Sequence, residues 1–211
     1  MHQLVLASES PRRKFLLEKA GFLFQTFSVK VSENLEKNLN VNEQILTIAR
    51  TKAEAAWKTY KSLNSLPYLL LSADTMVVYE NQALGKPVDK DDARQTLRLL
   101  SGKKHSVKTA LCLVDSQNNS TFSPLKMVDG ICTTDVYFKN LSDVEIEDYL
   151  NTGEPYDKAG SYGIQGIASK FVDRIEGDYE NVVGLSTRFL SELLERNGFV
   201  IAKLKTDGEK K

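Results

Sequence analysis

The stretch Gln3-Leu4-Val5-Leu6-Ala7-Ser8-Glu9-Ser10-Pro11-Arg12-Arg13 decides the fold class. Gln3–Ala7 is a short apolar run, which reads as a buried strand. Ser10 followed by Pro11 is an N-cap with proline at the first helical position, so a helix starts there. It runs to about Ala20, and Gly21 ends it. A strand passing directly into a helix opens an α/β chain.

The remaining segments repeat that alternation. Phe22–Val29 reads as a strand and Ser32–Asn40 as a polar loop. Asn42 is the expected cap of a long helix to about Leu63, with Ile45, Ala49, Ala53, Ala56 and Tyr60 on its buried face. Tyr68–Ser72 is a buried strand that continues through Met76–Tyr79, and Glu80-Asn81 is a hairpin turn. Asp89–Leu100 is a helix ended by Gly102. Ser106–Val114 and Gly130–Phe138 are strands joined by a long polar loop. Leu141–Asn151 is a helix capped by Ser142 or Asp143, and Gly153–Gly166 a glycine-rich loop. Lys170–Glu176 is a strand, Asn181–Asn197 largely helix and Phe199–Leu204 a short strand. Interleaved strands and helices predict α/β architecture around a mixed sheet. Residues 1–205 are expected to form a single domain, and 206–211 a polar, disordered tail.

The chain has 211 residues, 41% hydrophobic and 27% charged, with formal net charge zero. That is enough apolar side chain for a core. A balanced charge disfavours binding to long nucleic acid, which calls for a basic excess. Residues 1–7 lack the basic n-region of a signal peptide. No apolar run approaches the roughly 20 residues that span a bilayer, so no membrane association is expected. Cys112 and Cys132 lie in separate strand-like segments without CxxC spacing, and read as small hydrophobes in a reducing compartment. A cytoplasmic location is the expectation.

Five segments carry chemistry. Ser8–Arg13 joins a strand to a helix N-terminus, where free N–H groups favour an anion. Arg12 and Arg13 stand where the helix dipole prefers acids. They are either solvated or joined by a phosphate, which suits the guanidinium fork. Lys52 falls about 20° from Ile45 on a helical wheel, at the edge of the apolar stripe. It either snorkels to water or points into a cleft. Asp74 follows a buried apolar run, where a carboxylate is costly unless it holds a cation or does acid–base work. The other reading is a strand-end Asp capping a turn. Glu33, in the polar loop, is a second carboxylate candidate. Gly85-Lys86-Pro87 offers a lysine on restricted backbone. Asp157–Gly166 spaces its glycines GxxGxxG, which is neither a dinucleotide fingerprint nor a Walker A loop. Its Gln165 amide can pair with a base edge. With one internal histidine, His105, a Ser-His-Asp triad is disfavoured and no zinc set exists. His105 reads as structural. Cations plus a buried carboxylate suit metal-assisted attack on a polyphosphate.

These segments together resemble the Maf family of nucleoside triphosphate pyrophosphatases. The resemblance runs from Leu4 to about Phe199. It is carried by Leu6–Arg13, Ala49-Arg50-Thr51-Lys52-Ala53, Ala73-Asp74-Thr75, Gly85-Lys86-Pro87, Leu100-Ser101-Gly102, Asp157–Gly166 and Gly177–Leu185. It implies an elongated two-lobed α/β domain with a mixed central sheet, a cleft between the lobes, and a homodimer. It implies hydrolysis between the α and β phosphates with a divalent metal, Mg²⁺ or Mn²⁺. The Asp157–Gly166 loop looks like that of the subfamily acting on dTTP and UTP; modified pyrimidine nucleotides stay open as further substrates. In that group the positions matching Arg12, Thr75 and Gln165 are linked to substrate choice, and the one matching Asp74 is the proton acceptor. The expected site is therefore Asp74 as catalyst, Asp74 and Glu33 on the metal, and Ser8, Arg12, Arg13, Lys52, Thr75, Lys86 and Gln165 on the substrate. Two alternatives stand beside it: a 7-methyl-GTP pyrophosphatase of the sister subfamily, and a non-catalytic nucleotide-binding regulator of cell division. Ser186 replaces the family's usual proline after Gly-Leu, and the loop Asp115–Met127 is longer than usual.

Overall fold

The structure is a computed structural model that describes residues 2–28, 30–31, 39–61, 67–117 and 125–202. Glu33, the tail 206–211 and much of the loops expected at 32–40 and 115–127 lie outside the described residues. The elements are β1 (Gln3–Leu6), α1 (Pro11–Lys19), β2 (Phe24–Thr26), α2 (Val41–Tyr60), β3 (Tyr68–Tyr79), β4 (Gln82–Leu84), α3 (Lys90–Leu100), β5 (Lys104–Asp115), β6 (Met127–Phe138), α4 (Asp143–Leu150), β7 (Val172–Glu176), α5 (Tyr179–Val183) and α6 (Thr187–Arg196). The sheet is mixed and seven-stranded, in the order β2-β1-β3-β5-β6-β7, with β4 pairing β3. The α/β expectation therefore holds.

The chain divides into two compact units. The first comprises 1–74, 110–131 and 184–211, the second 75–109 and 132–183. In the first, β1 lies parallel to both β2 and β3, with Val5 opposite Gln25 and Leu70. Leu4, Val5 and Leu6 are fully buried, as expected of a central parallel strand covered on both faces. Ile45, Ala49, Ala53 and Ala56 of α2 are fully buried as well. The three alanines present small side chains, and the Ser72 hydroxyl donates to the Ala49 carbonyl at 2.6 Å.

In the second unit β3 and β4 form a hairpin whose turn residues Glu80 and Asn81 both have positive φ, 46° and 62°. That backbone matches the right-handed twist of the flanking strands. His105, Phe138, Tyr149, Tyr162 and Phe171 pack edge to face in a buried aromatic cluster. The His105 ring nitrogen Nε2 pairs with the Tyr162 hydroxyl at 2.8 Å, which agrees with a structural histidine. Both cysteines are free.

Several boundaries differ from the sequence expectation. The cap of α2 is Asn40, not Asn42; it forms a reciprocal capping box with Glu43, so the helix begins two residues earlier. The strand expected over Phe22–Val29 is reduced to Phe24–Thr26. The helix expected over Asn181–Asn197 is two helices, because Gly184 has φ 134° and breaks the run. Ser186 then caps α6 by accepting the Phe189 N–H at 3.0 Å, so this departure from the family pattern keeps a helix start. Of the strand expected over Phe199–Leu204, the described part ends at residue 202 and holds an isolated bridge between Ile201 and His2. The glycine-rich loop contains two short 3-10 turns, Glu154–Asp157 and Ala159–Ser161, and a third, Ile167–Phe171, follows it and shortens the strand expected over Lys170–Glu176 to Val172–Glu176.

Candidate active site

Unit one positions its candidates at the start of α1 and on facing surfaces of α2 and β3. Ser10 caps α1, accepting the Arg13 N–H at 3.5 Å, and no acidic residue occupies the first turn. The Ser8 hydroxyl oxygen accepts the Ser10 N–H and the Arg13 guanidinium, both at 3.2 Å. Arg13 Nε donates to the Gly184 carbonyl at 2.9 Å. Arg13 is thus committed to the protein and ties the β1–α1 loop to the segment between α5 and α6. Arg12 is exposed. The two arginines, equivalent by sequence, have different surroundings.

Lys52 and Asp74 meet. Ser72 and Asp74 lie two residues apart on β3 and so project from the same face. Ser72 docks that face on Ala49; one helical turn later along α2, Lys52 Nζ sits 2.6 Å from Asp74 Oδ1. The side chains are only 18% and 12% exposed. Lys52 is therefore not snorkelling, and Asp74 is not capping a turn: it lies inside a continuous strand of 12 residues. A carboxylate at this depth is stabilised by its ammonium partner and would be costly alone.

Unit two positions Thr75, Lys86 and Gln165. Thr75 follows Asp74 on β3, and its hydroxyl lies 3.0 Å from that of Thr109 on β5. Thr109 is fully buried and donates to the Asn181 carbonyl at 3.1 Å. Lys86 is exposed, in the segment after β4. That segment is bound to the glycine loop, because the Gly160 N–H donates to the Gly85 carbonyl at 3.0 Å. Gly160 has φ 67°, and a Cβ there would stand 2.8 Å from Val77 Cγ1, so both conformation and space require glycine.

Gln165 is exposed at the corner of a turn closed by the Gly166 N–H on the Gly163 carbonyl, 3.1 Å. The turn wraps Glu154. One carboxylate oxygen of Glu154 accepts the Ile167 N–H at 2.9 Å and the other the Tyr149 hydroxyl at 3.1 Å. A Cβ on Gly166 would lie 2.3 Å from that carboxylate. Glu154 and Thr109 escaped the sequence reading. Glu154 precedes the Asp157–Gly166 motif it braces, and a threonine inside a β-strand carries no local signal.

Among the described residues no group of three His, Cys, Asp or Glu side chains could hold a metal ion. The described donor set is the Asp74 carboxylate. Such a set fits Mg²⁺, which is commonly bound by one or two carboxylates together with substrate phosphates rather than in an all-protein cage. Among the described residues no helix is long and apolar enough to cross a membrane.

The sequence profile described as Maf-like protein matches residues 3–197. A protein of Bdellovibrio bacteriovorus named dTTP/UTP pyrophosphatase is 51% identical over 193 residues, covering 92% of this chain and 97% of that protein. Proteins of the same name from Alkaliphilus oremlandii and Caldicellulosiruptor bescii are 44% and 38% identical. They cover 95% and 96% of this chain, and 98% of each relative.

Proposed function

The chain belongs to the Maf-like protein family, and from that premise we propose that it hydrolyses dTTP and UTP to the nucleoside monophosphate and pyrophosphate. The observation that carries the reading is the Asp74 carboxylate, buried in β3 and held at 2.6 Å by Lys52. A sensor of nucleotides needs cations for the phosphates but has no use for such a carboxylate. The names of relatives at 38–51% identity support the pyrimidine substrates.

In this mechanism Arg12, Lys52 and Lys86 hold the triphosphate, and the N-terminus of α1 adds free N–H groups. Ser8 and Arg13 hold the loop that presents Arg12. Asp74 accepts the proton of the water that attacks the α-phosphorus. When bound, a divalent metal held by Asp74, Glu33 and the phosphates would lower the charge on the reacting oxygens. The cations stabilise charge as it grows on the departing pyrophosphate. Thr75 and Gln165 contact the pyrimidine. The enzyme acts as a cytoplasmic homodimer, and its two free cysteines suit that compartment.

The test is pyrophosphate release from dTTP, UTP, CTP, GTP and 7-methyl-GTP with Mg²⁺ or Mn²⁺. Turnover of dTTP and UTP is expected. Turnover of none sinks the enzyme reading, and preference for 7-methyl-GTP moves the chain to the sister subfamily.

A further inference from the structure

Glycines spaced GxxGxxG leave room for something to approach the backbone closely. At Gly163 and Gly166 the chain fills that room with its own side chains. A Cβ on Gly166 would stand 2.3 Å from Glu154 Oε1 and 2.4 Å from both Cδ and Oε2. One on Gly163 would stand 2.7 Å from Lys158 Cε and 3.3 Å from Glu154 Oε1. Neither glycine has positive φ, so space rather than backbone conformation requires them. The hollow in this loop is shaped for the Glu154 carboxylate.

Glu154 is held by side chain and backbone alike. One carboxylate oxygen accepts the Tyr149 hydroxyl at 3.1 Å, and the other accepts the Ile167 N–H at 2.9 Å. Lys158 Nζ donates to the Glu154 backbone carbonyl at 2.8 Å. Tyr149 is fully buried and meets Phe171 edge to face, with ring centroids 5.2 Å apart, so the carboxylate is fastened to the aromatic cluster. The bond to Ile167 has an ionised acceptor, which makes it about twice as strong as a neutral one. Ile164 and Ala168 are buried and anchor the two ends of the turn, while Gln165 and Ile167 between them are exposed. Glu154 therefore grips the exposed stretch that its buried ends do not.

We propose that Glu154 is a positioning residue for base recognition: its carboxylate, seated against Gly163 and Gly166, fixes the turn that presents the Gln165 amide to the pyrimidine. This rests on the reading that Gln165 contacts the base. An amide on a loose turn must be ordered when it pairs, and that cost is subtracted from binding. A turn already fixed by Glu154 has no such cost. The benefit belongs to the base and not to the phosphates.

The test measures KM for UTP and the inhibition constant of pyrophosphate, which has no base. The proteins compared are wild type, Glu154→Ala, Glu154→Gln, Gln165→Ala and the Glu154→Ala/Gln165→Ala double variant. Glu154→Ala should raise KM for UTP about tenfold and leave pyrophosphate inhibition unchanged. Glu154→Gln keeps an oxygen for the Ile167 N–H and should recover most of that loss. Gln165→Ala should raise KM as well, and adding Glu154→Ala to it should raise KM little further. Equal losses for UTP and pyrophosphate would make Glu154 merely structural, and fully additive losses would separate it from Gln165; either result overturns the inference. Should Glu154→Ala fail to fold, Glu154→Asp, one methylene short of the Ile167 N–H, carries the same comparison. A wild-type KM in Gln165→Ala overturns the base-contact reading and the inference with it. Wild-type enzyme that turns over no nucleotide overturns the pyrophosphatase reading itself, a failure visible before any variant is made.

Discussion

Lys52 Nζ lies 2.6 Å from Asp74 Oδ1, joining the middle of α2 to the middle of β3. The contact depends on helix and strand periodicities acting together. Ser72 and Asp74 share a strand face, Ala49 and Lys52 are one helical turn apart, and the Ser72–Ala49 bond sets the register between them. The carboxylate is therefore held in place by the fold itself, an arrangement that suits the general base proposed for Asp74.

Replacing either partner should separate chemistry from binding. Asp74→Asn keeps the shape but cannot take a proton, so kcat should fall about a hundredfold to ten-thousandfold. Nucleotide affinity, measured by calorimetry, should change little. Lys52→Met keeps the apolar stem but removes the ammonium from the carboxylate; the pair is partly exposed, so a stability loss of about 1–2 kcal/mol is expected alongside lost activity. An Asp74→Asn enzyme with wild-type kcat would remove the residue from its role.

The two arginines should behave differently. Arg12→Ala removes an exposed side chain, so the melting temperature should hold while KM for the nucleotide rises about tenfold or more. Arg13→Ala removes the bonds to Ser8 and Gly184, so it should cost about 1–3 kcal/mol of stability as well. Equal melting temperatures for the two variants would contradict the division of labour.

Gly166→Ala probes the brace under Gln165. The added Cβ would meet the Glu154 carboxylate at 2.3 Å. That side chain can swing away at a cost of about 1 kcal/mol, but it then releases the Ile167 N–H. Faster hydrogen exchange at Ile167 is expected, with a raised KM and a melting temperature lowered by a few degrees. Unaltered exchange would show that Glu154 does not hold the turn.

His105 makes stability depend on pH. Burial lowers its pKa from 6.5 to about 4, against a smaller opposing influence of Asp135. Between those values the unfolded chain binds a proton that the folded protein refuses, so stability rises with pH across that window and is lost as pH falls through it. At about 1.4 kcal/mol per pH unit the full effect is about 3 kcal/mol. Urea unfolding at pH 4, 5, 6 and 7 should show this slope, and His105→Gln should flatten it. An unchanged slope in that variant would assign the acid sensitivity to other groups.

Much of the fold was legible because its signals are local. Ser10-Pro11 starts a helix, Gly21 ends one, and the Glu80-Asn81 turn sits where two apolar runs meet. Misreadings arose where a nearby residue competed: Asn40 outdoes Asn42 because Glu43 completes its capping box, and Gly184 interrupts a periodic run with a backbone angle that no helix contains.

The candidate site divides along the same line. The amino-acid sequence by itself determined which side chains are available and where each stands along its element: arginines in the first turn of α1, a carboxylate within an apolar strand, a glutamine among glycines. Only the tertiary structure decided which of them touch. Lys52 with Asp74, Arg13 with Gly184 and Thr75 with Thr109 are contacts between residues 22, 171 and 34 positions apart. Local backbone preferences reach only a few residues along a chain. Contacts at these separations exist because apolar faces pack in one register, and the polar groups carried with them must then find partners or remain unpaired.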